Sequence, residues 1–325
     1  MNKLLKEISL PVFNELEKFN DVFRNAIRSE TKIVDLIARY ILRQKSKKIR
    51  PLLVFLSSKL VGDITDKSFR AATLIEILHT ATLIHDDVVD DAKTRRGFLS
   101  INAVWKNKAS VLMGDYLLAK GLMIAVKNQD YDVLEAISDT VKKMSEGELL
   151  QIHKTRKLDV DEETYFKIIS KKTASLFETC CSAGAMSSTN NPSHIQKLKE
   201  FGLNLGIAFQ IKDDIMDYVG EKKILGKPLL ADLKEKKITL PLIYSLNKVG
   251  KKDTSKIIKI IKNEKKITKV KQILDFVKEN NGIEYSIEMT KKYSKKAKEC
   301  LNDFPDSQIK KSFEKLIDFV VTRVS

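Results

Sequence analysis

Apolar positions recur at helical spacing along most of the chain, and this periodicity predicts an all-helical protein. Residues 3–27 carry one apolar face with an interruption at Pro11, and residues 32–44 repeat the pattern. Further helices are predicted from Pro51 onward and over residues 67–91, 109–127, 131–153, 162–186, 194–218, 240–249, 254–263, 266–279, 284–302 and 307–322. No segment alternates as a strand would. We therefore expect a single all-α domain, residues 1–325, of about a dozen helices.

Polar segments separate these predicted helices. The basic run Lys45 to Arg50 leads into Pro51, a residue suited to the first turn of a helix. Asn190 to Ser193 forms a second break, with Ser193 as a candidate N-cap. Residues 219–238 are polar and contain Gly and Pro, which indicates a loop.

The predicted helix over residues 67–91 combines two opposed features. It is apolar almost all round, as is typical of a central, buried helix. Yet it ends in a first acidic cluster, Asp86-Asp87-Val88-Val89-Asp90-Asp91. Burying several carboxylates is costly unless a cation neutralises them, so this helix end indicates a functional site.

A second acidic cluster, Asp213-Asp214-Ile215-Met216-Asp217, follows another apolar stretch. Each cluster contains Asp-Asp-x-x-Asp, and residues four apart share a helix face, so Asp86 pairs with Asp90 and Asp213 with Asp217. Carboxylates suit Mg²⁺, which also accepts phosphate oxygens and water. Two such clusters facing each other would hold several Mg²⁺ ions around a diphosphate; the alternative is a pair of solvated acidic helix ends.

Cationic residues accompany both clusters, and such residues bind phosphate oxygens. They are Lys47, Lys48, Arg50, Arg95, Arg96, Lys171, Lys172, Lys227, Lys236 and Lys237. Taken singly, each is more often a surface charge. Interleaved with the acidic clusters, they indicate a diphosphate site.

The overall charge leaves several classes of partner open. Lys and Arg number 59 against 43 Asp and Glu, a formal net charge of +16. A solvated Lys-rich surface explains this, and so would an anionic substrate or membrane surface. Nucleic-acid binding is disfavoured, because no helix-turn-helix, zinc-finger or basic-aromatic motif occurs.

Cysteine usage and hydropathy favour a cytoplasmic protein. Cys180, Cys181 and Cys300 make neither a disulfide framework nor a zinc motif. The N-terminal segment resembles an amphipathic helix more than a signal peptide. No apolar run is long enough to predict a membrane span.

Seven motifs, in order, identify a resemblance. They read KKIRP, LIEILHTATLIHDDVVDDAKTRRG, LMGDYLLAKG, EGELLQ, KKTASLFE, GIAFQIKDDIMDY and GKPLLADLKEKKITLPLI. The chain resembles the trans-polyprenyl diphosphate synthases of the polyprenyl synthetase family, closest to the bacterial octaprenyl and related long-chain synthases. The resemblance covers roughly residues 40–245.

The resemblance implies an isoprenoid synthase fold, a bundle around a central cavity, and it assigns roles to residues. Asp86 and Asp90 would bind Mg²⁺, with Asp213 and Asp217 completing the site from an opposite helix. The allylic diphosphate would be held by Arg95, Lys172, Thr173, Gln210, Lys227 and Lys237. Isopentenyl diphosphate would be held by Lys47, Arg50, His79 and Arg96.

Two positions depart from the family pattern. Lys45-Ser46 stand where the family usually has Gly-Gly, and Glu235-Lys236-Lys237 stand where it has Glu-Gly-Lys. The first change adds side chains where backbone would pack close to a diphosphate.

The implied reaction is repeated head-to-tail condensation of isopentenyl diphosphate onto an allylic diphosphate. Ala81 and Thr82 lie about 6–7.5 Å before Asp86 along the helix, and both are small. The resemblance links small residues there to long products, so we expect a C40 chain, used for a quinone side chain.

Assembly and alternative functions complete the expectations. The resemblance implies a homodimer, with a heteromer as the alternative, and an apolar product implies peripheral membrane contact. A terpene cyclase would also use Asp-rich Mg²⁺ motifs, but its second motif usually differs. A non-catalytic partner subunit would typically lack some ligand positions, which are all filled here.

Overall fold

The computed structural model describes residues 3–44, 48–95, 97–219, 233, 237–262 and 268–322. Helices α1 to α5 span Lys3–Ser9, Phe13–Ile27, Lys32–Arg43, Ile49–Val61 and Asp66–Val89. Helices α6 to α10 span Ile101–Lys127, Tyr131–Lys157, Glu162–Ile169, Ser175–Met186 and Pro192–Val219. Helices α11 to α15 span Leu240–Lys248, Lys251–Lys262, Thr268–Glu279, Gly282–Glu299 and Gln308–Thr322. The predicted all-α fold is confirmed.

Backbone contacts divide the chain into two compact units. The first unit comprises Met1–Ser138, Thr179–Leu198 and Asp306–Phe313. The second unit comprises Asp139–Glu178, Lys199–Pro305 and Glu314–Ser325. The expectation of a single domain over residues 1–325 stays a prediction.

Helix α5 lies at the centre of the first unit, as its apolar sequence predicts. It packs against α2, α4 and α6, and its apolar side chains from Phe69 to Ile84 are almost all buried. Gly121 of α6 permits a close approach, because a Cβ atom there would lie 2.8 Å from Leu74 Cδ1. The acidic end of α5 is therefore mounted on a tightly packed helix.

The core of the second unit is built around α10 and α11. Buried side chains such as Ile211 and Leu240 meet Val277 and Ile283 of the later helices in one cluster. The Lys-rich helices α12 to α14 thus bury or half-bury most of their apolar side chains and expose most of their lysines. This pattern matches the amphipathic spacing of the sequence.

Three local predictions were wrong. The helix predicted from residue 109 begins at Ile101, where Ser100 Oγ accepts a hydrogen bond from the Ala103 amide. Two short antiparallel strands, Thr94–Arg95 (β1) and Phe98–Leu99 (β2), form a hairpin too brief to show alternation in sequence. The candidate cap Ser193 lies inside α10; Asn191 Oδ1 accepts from the Ser193 amide at 3.0 Å instead.

Two predicted helices contain departures from α-helical geometry. A 3-10 turn, Leu10–Val12, separates α1 from α2 at Pro11. The helix predicted over residues 162–186 is continuous, but a π turn at Ser170–Ala174 joins α8 to α9. This turn contains Lys172 and Thr173, two of the predicted diphosphate ligands.

Helix α6 has an unusual composition for its position. Among the described residues, it is one helix long and apolar enough to cross a membrane, but core helices of soluble proteins pass the same test. Several of its large apolar side chains are exposed, among them Leu112 and Met123. Inside it, Lys106 has φ 69° and ψ 165°, which kinks the helix.

Candidate functional site

The first acidic cluster lies at the C-terminal end of α5. The helix ends at Val89, and the Asp90 amide donates to the Asp86 carbonyl at 2.8 Å. Asp86 is half-buried and Asp90 is exposed, so both residues lie where the buried helix α5 reaches the surface. Their spacing places them on one face, where a cation can reach both.

Asp87, to which the sequence assigned no role, is the buried member of the cluster. It is 3% exposed, and Arg95 Nε donates to its Oδ1 at 2.6 Å. Burial raises the pKa of Asp87, Arg95 opposes that rise, and the Asp90 carboxylate adds to it. The β1–β2 hairpin thus returns Arg95 to the end of α5.

A cavity of about 320 Å³ in the first unit adjoins this cluster. Its polar lining includes Lys48, Glu76, His79, Asp87 and Arg95. The structure therefore brings the predicted isopentenyl ligand His79 into one cavity with the predicted allylic ligand Arg95. Both residues are more than half buried.

The other predicted isopentenyl ligands are only partly described. Lys47 and Arg96 lie outside the described residues. So do Lys45 and Ser46, which stand where the family usually has Gly-Gly. Arg50 lies half-buried in the first turn of α4. It lies close enough to the buried Cys180 for its charge to lower the pKa of that thiol, although burial raises the pKa more strongly.

Glu76 is a second residue that sequence reasoning missed. It lies three residues before His79 on α5, lines the same cavity and is 8% exposed. Its charge raises the pKa of Lys48, against a larger lowering by burial. Lys48 Nζ donates to Asn20 Oδ1 on α2. The only sequence signal for Glu76 was an acid in an otherwise apolar helix.

The second acidic cluster lies near the end of α10, in the second unit. Asp213 is half-buried, and Asp214 and Asp217 are buried. The Tyr165 hydroxyl donates to Asp214 Oδ2 at 2.6 Å, and Gln210 Nε2 donates to Asp214 Oδ1 at 2.8 Å. The Thr173 hydroxyl donates to Gln210 Oε1 at 2.8 Å.

The predicted cation Lys172 is held by residues of the motif EGELLQ on α7. It forms an ion pair with Glu148, and its Nζ donates to Gln151 Oε1 at 3.3 Å. The neighbouring Lys171 pairs with Glu146. The motif thus supplies the acceptors that hold the side chains of two consecutive lysines, a role that its sequence alone did not indicate.

Several predicted allylic ligands line a common cavity of about 140 Å³ in the second unit. They are Lys172, Thr173, Gln210 and Lys237, and Asp214 and Tyr165 line it too. Lys227 lies outside the described residues, as do Glu235 and Lys236.

The donor set fits magnesium. Within the described ranges, no three carboxylate, imidazole or thiolate side chains lie close enough to surround a metal ion on protein ligands alone. Mg²⁺ usually binds through one or two carboxylates and completes its shell with water and substrate phosphate. The pairs Asp86 with Asp90 and Asp213 with Asp217 match that preference.

Neither of the predicted chain-length residues lines the cavity that contains His79. Ala81 is fully buried and packs with Ile77, Met113 and Leu117 in a cluster of α2, α3, α5 and α6 side chains. Thr82 is half-buried, and its hydroxyl donates to the His79 carbonyl at 2.9 Å.

Comparisons with known proteins agree over nearly the whole chain. The polyprenyl synthetase family model matches residues 31–277. The chain is 32% identical to the geranylgeranyl diphosphate synthase of Saccharolobus solfataricus, with 96% of this chain and 97% of that protein covered. It is 30% identical to the octaprenyl diphosphate synthase of Haemophilus influenzae, with 95% and 94% covered. A crystal structure of a polyprenyl synthase from Caulobacter crescentus, complexed with calcium and isoprenyl diphosphate, aligns with a TM-score of 0.92, at 30% identity, over 99% of this chain and 98% of that one.

Proposed function

The chain belongs to the polyprenyl synthetase family, and from this we propose that it is a trans-prenyl diphosphate synthase. Such an enzyme is a prenyltransferase that adds isopentenyl diphosphate to an allylic diphosphate, head to tail. The observation that carries the proposal is the presence of two Asp-Asp-x-x-Asp helix ends, each beside cationic side chains. A diphosphate and its metal ions need that combination of charges.

We assign the allylic diphosphate to Arg95, Lys172, Thr173, Gln210, Lys227 and Lys237, as the resemblance implies. Isopentenyl diphosphate is assigned to Lys47, Arg50, His79 and Arg96. The cavity that adjoins Arg95 and His79 supports placing part of both subsites there. The cavity lined by Lys172, Thr173, Gln210 and Lys237 supports the assignment of these four residues to the allylic diphosphate.

Magnesium is the metal that we assign, since the family depends on it in general. Asp86, Asp90, Asp213 and Asp217 would hold three ions. When bound, Mg²⁺ neutralises the diphosphate and favours its departure. The buried pair of Asp87 and Arg95 keeps one further carboxylate and one guanidinium in place beside the first of these ligands.

The reaction follows from charge and orientation. Arg95 and Lys172 stabilise the negative charge that develops as the carbon–oxygen bond of the allylic diphosphate breaks. His79 and Arg50 hold isopentenyl diphosphate so that its double bond attacks the cationic allylic carbon, forming the new carbon–carbon bond. The adduct then loses a proton to the departed pyrophosphate, which creates the new double bond. No side-chain nucleophile is required.

For the product, we propose a C40 chain that serves as a quinone side chain. The support is the resemblance, which links small residues at the positions of Ala81 and Thr82 to long products. A shorter, geranylgeranyl-length product is the second candidate. Two observations favour it: Ala81 is fully buried among core side chains, and one relative of that name is 32% identical.

We propose that the enzyme is a cytoplasmic homodimer, with a heteromer as the alternative. The exposed apolar side chains of α6, which include Val111, Leu112, Leu122 and Met123, favour a protein contact on that helix. Peripheral contact with an anionic membrane is proposed from the Lys-rich surface and the apolar product.

The test is an incubation of the purified chain with farnesyl diphosphate, labelled isopentenyl diphosphate and Mg²⁺, with products sized by chromatography. A ladder that ends at one length, and that EDTA abolishes, is the expected result. Absence of incorporation by folded protein would refute a self-sufficient synthase; activity regained on adding a partner chain would establish the heteromer.

A further inference from the structure

Tyr165 lies outside the set of residues assigned to substrate or metal, yet it contacts the second acidic cluster directly. It is 3% exposed on α8, and its hydroxyl donates to Asp214 Oδ2 at 2.6 Å. Its ring packs edge-on against Phe166, with centroids 5.4 Å apart. Packing fixes the ring, so the direction of the hydroxyl is fixed as well.

The bond continues beyond Asp214. Asp214 accepts at both carboxylate oxygens, and the Gln210 amide nitrogen donates to its Oδ1 at 2.8 Å. Its amide oxygen then turns to Thr173, which donates at 2.8 Å. The four side chains form one connected network: Asp214 accepts from both Tyr165 and Gln210, and Gln210 accepts from Thr173. The position of the Asp214 carboxylate therefore affects the position of the Gln210 amide.

We propose that Tyr165 is a positioning residue for the allylic diphosphate subsite, acting through Asp214 on the orientation of Gln210 and Thr173. The proposal rests on the proposed function, which assigns Gln210 and Thr173 to that diphosphate. With Tyr165 in place, Asp214 keeps the Gln210 amide in one orientation before substrate arrives. An amide nitrogen carries two hydrogens, and the bond to Asp214 uses one, so the other can face a phosphate oxygen.

Removing the hydroxyl should weaken binding of one substrate only. In Tyr165→Phe, Asp214 loses the donor that holds its Oδ2, so the carboxylate and the Gln210 amide bound to its Oδ1 can shift, while the ring stays packed. We expect KM for the allylic diphosphate to rise about tenfold, as for loss of a charge-assisted hydrogen bond. KM for isopentenyl diphosphate should stay within about twofold.

The chain offers a matched control in Tyr285. Its hydroxyl also donates to a carboxylate, Glu162 Oε1, at 2.6 Å in the same unit, and Glu162 shares α8 with Tyr165. Tyr285→Phe therefore removes the same group from a comparable bond that has no link to Asp214. A purely structural role for Tyr165 would lower the melting temperature in both variants and leave the allylic KM equal to the control.

The experiment measures both Michaelis constants and the melting temperature of the wild type, Tyr165→Phe and Tyr285→Phe. Calorimetry adds the affinity for a non-reactive farnesyl diphosphate analogue with Mg²⁺, at a low temperature where each variant is folded. Weaker analogue binding in Tyr165→Phe alone supports the proposal; equal binding in the two variants overturns it. A wild type that neither turns over nor binds the analogue refutes the proposed function, and this proposal with it.

A double-mutant cycle separates action through Gln210 from an independent effect. If Tyr165 acts by orienting Gln210, adding Tyr165→Phe to Gln210→Leu changes the allylic KM little further. Additive effects of the two substitutions would contradict the proposed route.

Discussion

Arg95 Nε lies 2.6 Å from Asp87 Oδ1 and donates a hydrogen bond to it, although the two residues belong to different elements, the hairpin and α5. The contact joins a predicted diphosphate ligand to the one buried carboxylate of the first acidic cluster. The contact therefore orients Arg95, and it favours the ionised form of Asp87 against the effect of burial.

Arg95→Ala should reduce stability and activity together. It leaves the Asp87 carboxylate buried without its ion-pair partner, which costs about 1–3 kcal/mol in free energy of unfolding. Burial already raises the folded-state pKa of Asp87. The contribution of Asp87 to the free energy of unfolding is therefore most favourable below the pKa of the unfolded chain, and it is lost as the pH rises through the folded-state pKa. The stability deficit of Arg95→Ala, measured by urea unfolding, should hence be larger at pH 7 than at pH 4.

Arg70→Ala is the control for this substitution. Arg70 pairs with Asp130, and the side-chain exposures are 27% and 7%, against 28% and 5% for Arg95 and Asp87. The control should lose similar stability and keep its prenyl transfer rate. Equal activity in the two variants would exclude Arg95 from the substrate site.

Asp90→Asn should abolish most activity without destabilising the chain. Asp90 is exposed, so its charge is not needed for folding, but the i, i+4 pair with Asp86 loses one metal-binding carboxylate. We expect a fall of about a hundredfold or more in kcat/KM, partly recovered at high Mg²⁺. Asp63→Asn, at an exposed acid elsewhere in the first unit, should behave as wild type. A fully active Asp90→Asn enzyme would argue against the metal assignment.

Thr82→Phe should shorten the product. Thr82 is half-buried, so a ring can extend from α5 into the proposed path of the tail. Thr80→Phe is the informative comparison, because Thr80 lines the cavity with His79 and points from another side of the helix. Chromatography of the products distinguishes the two paths. Shortening by Thr80→Phe alone would place the tail in that cavity instead.

Cys180 and Cys181 should be unreactive in the folded protein. Both are fully buried, and burial raises the pKa of Cys181 to about 12 and that of Cys180 as well. At pH 8 the thiolate form that attacks iodoacetamide is therefore scarce, and the reagent has no access. Mass spectrometry should find these two cysteines alkylated only after guanidinium unfolding. Rapid labelling without denaturant would show that α9 opens readily.

The sequence allowed the helical fold and the acidic helix ends to be predicted, for a physical reason. Long apolar periodicity specifies helices strongly, and a helix that is apolar almost all round, as α5 is, indicates burial. The charged side chains of Asp86 and Asp90 do not fit a buried helix, so they stood out as candidates for a functional site. Asp213 and Asp217 repeated the same contradiction on α10.

Contacts between elements could not be read in the same way. Asp87 and Asp214 look identical to their neighbours in sequence. In the structure, Asp87 is distinguished by its contact with Arg95, and Asp214 by its contacts with Tyr165 and Gln210. Capping was misassigned at Ser193 because Asn191 and Pro192 compete for the same helix start. The kink at Lys106 could not be predicted, because no Pro or Gly lies next to that residue in the sequence.

The π turn at Ser170–Ala174 makes the site depend on the number of residues in this segment as well as on their identity. A π turn fits one extra residue into a helix, and one residue corresponds to about 100° of rotation. It allows Tyr165 and Ile169 before the turn, and Phe177 after it, all to be buried, while Lys171, Lys172 and Thr173 between them reach three different partners. Deleting one residue here would rotate the side chains before the turn by about 100° relative to those after it, although no chemical group of the site would be lost.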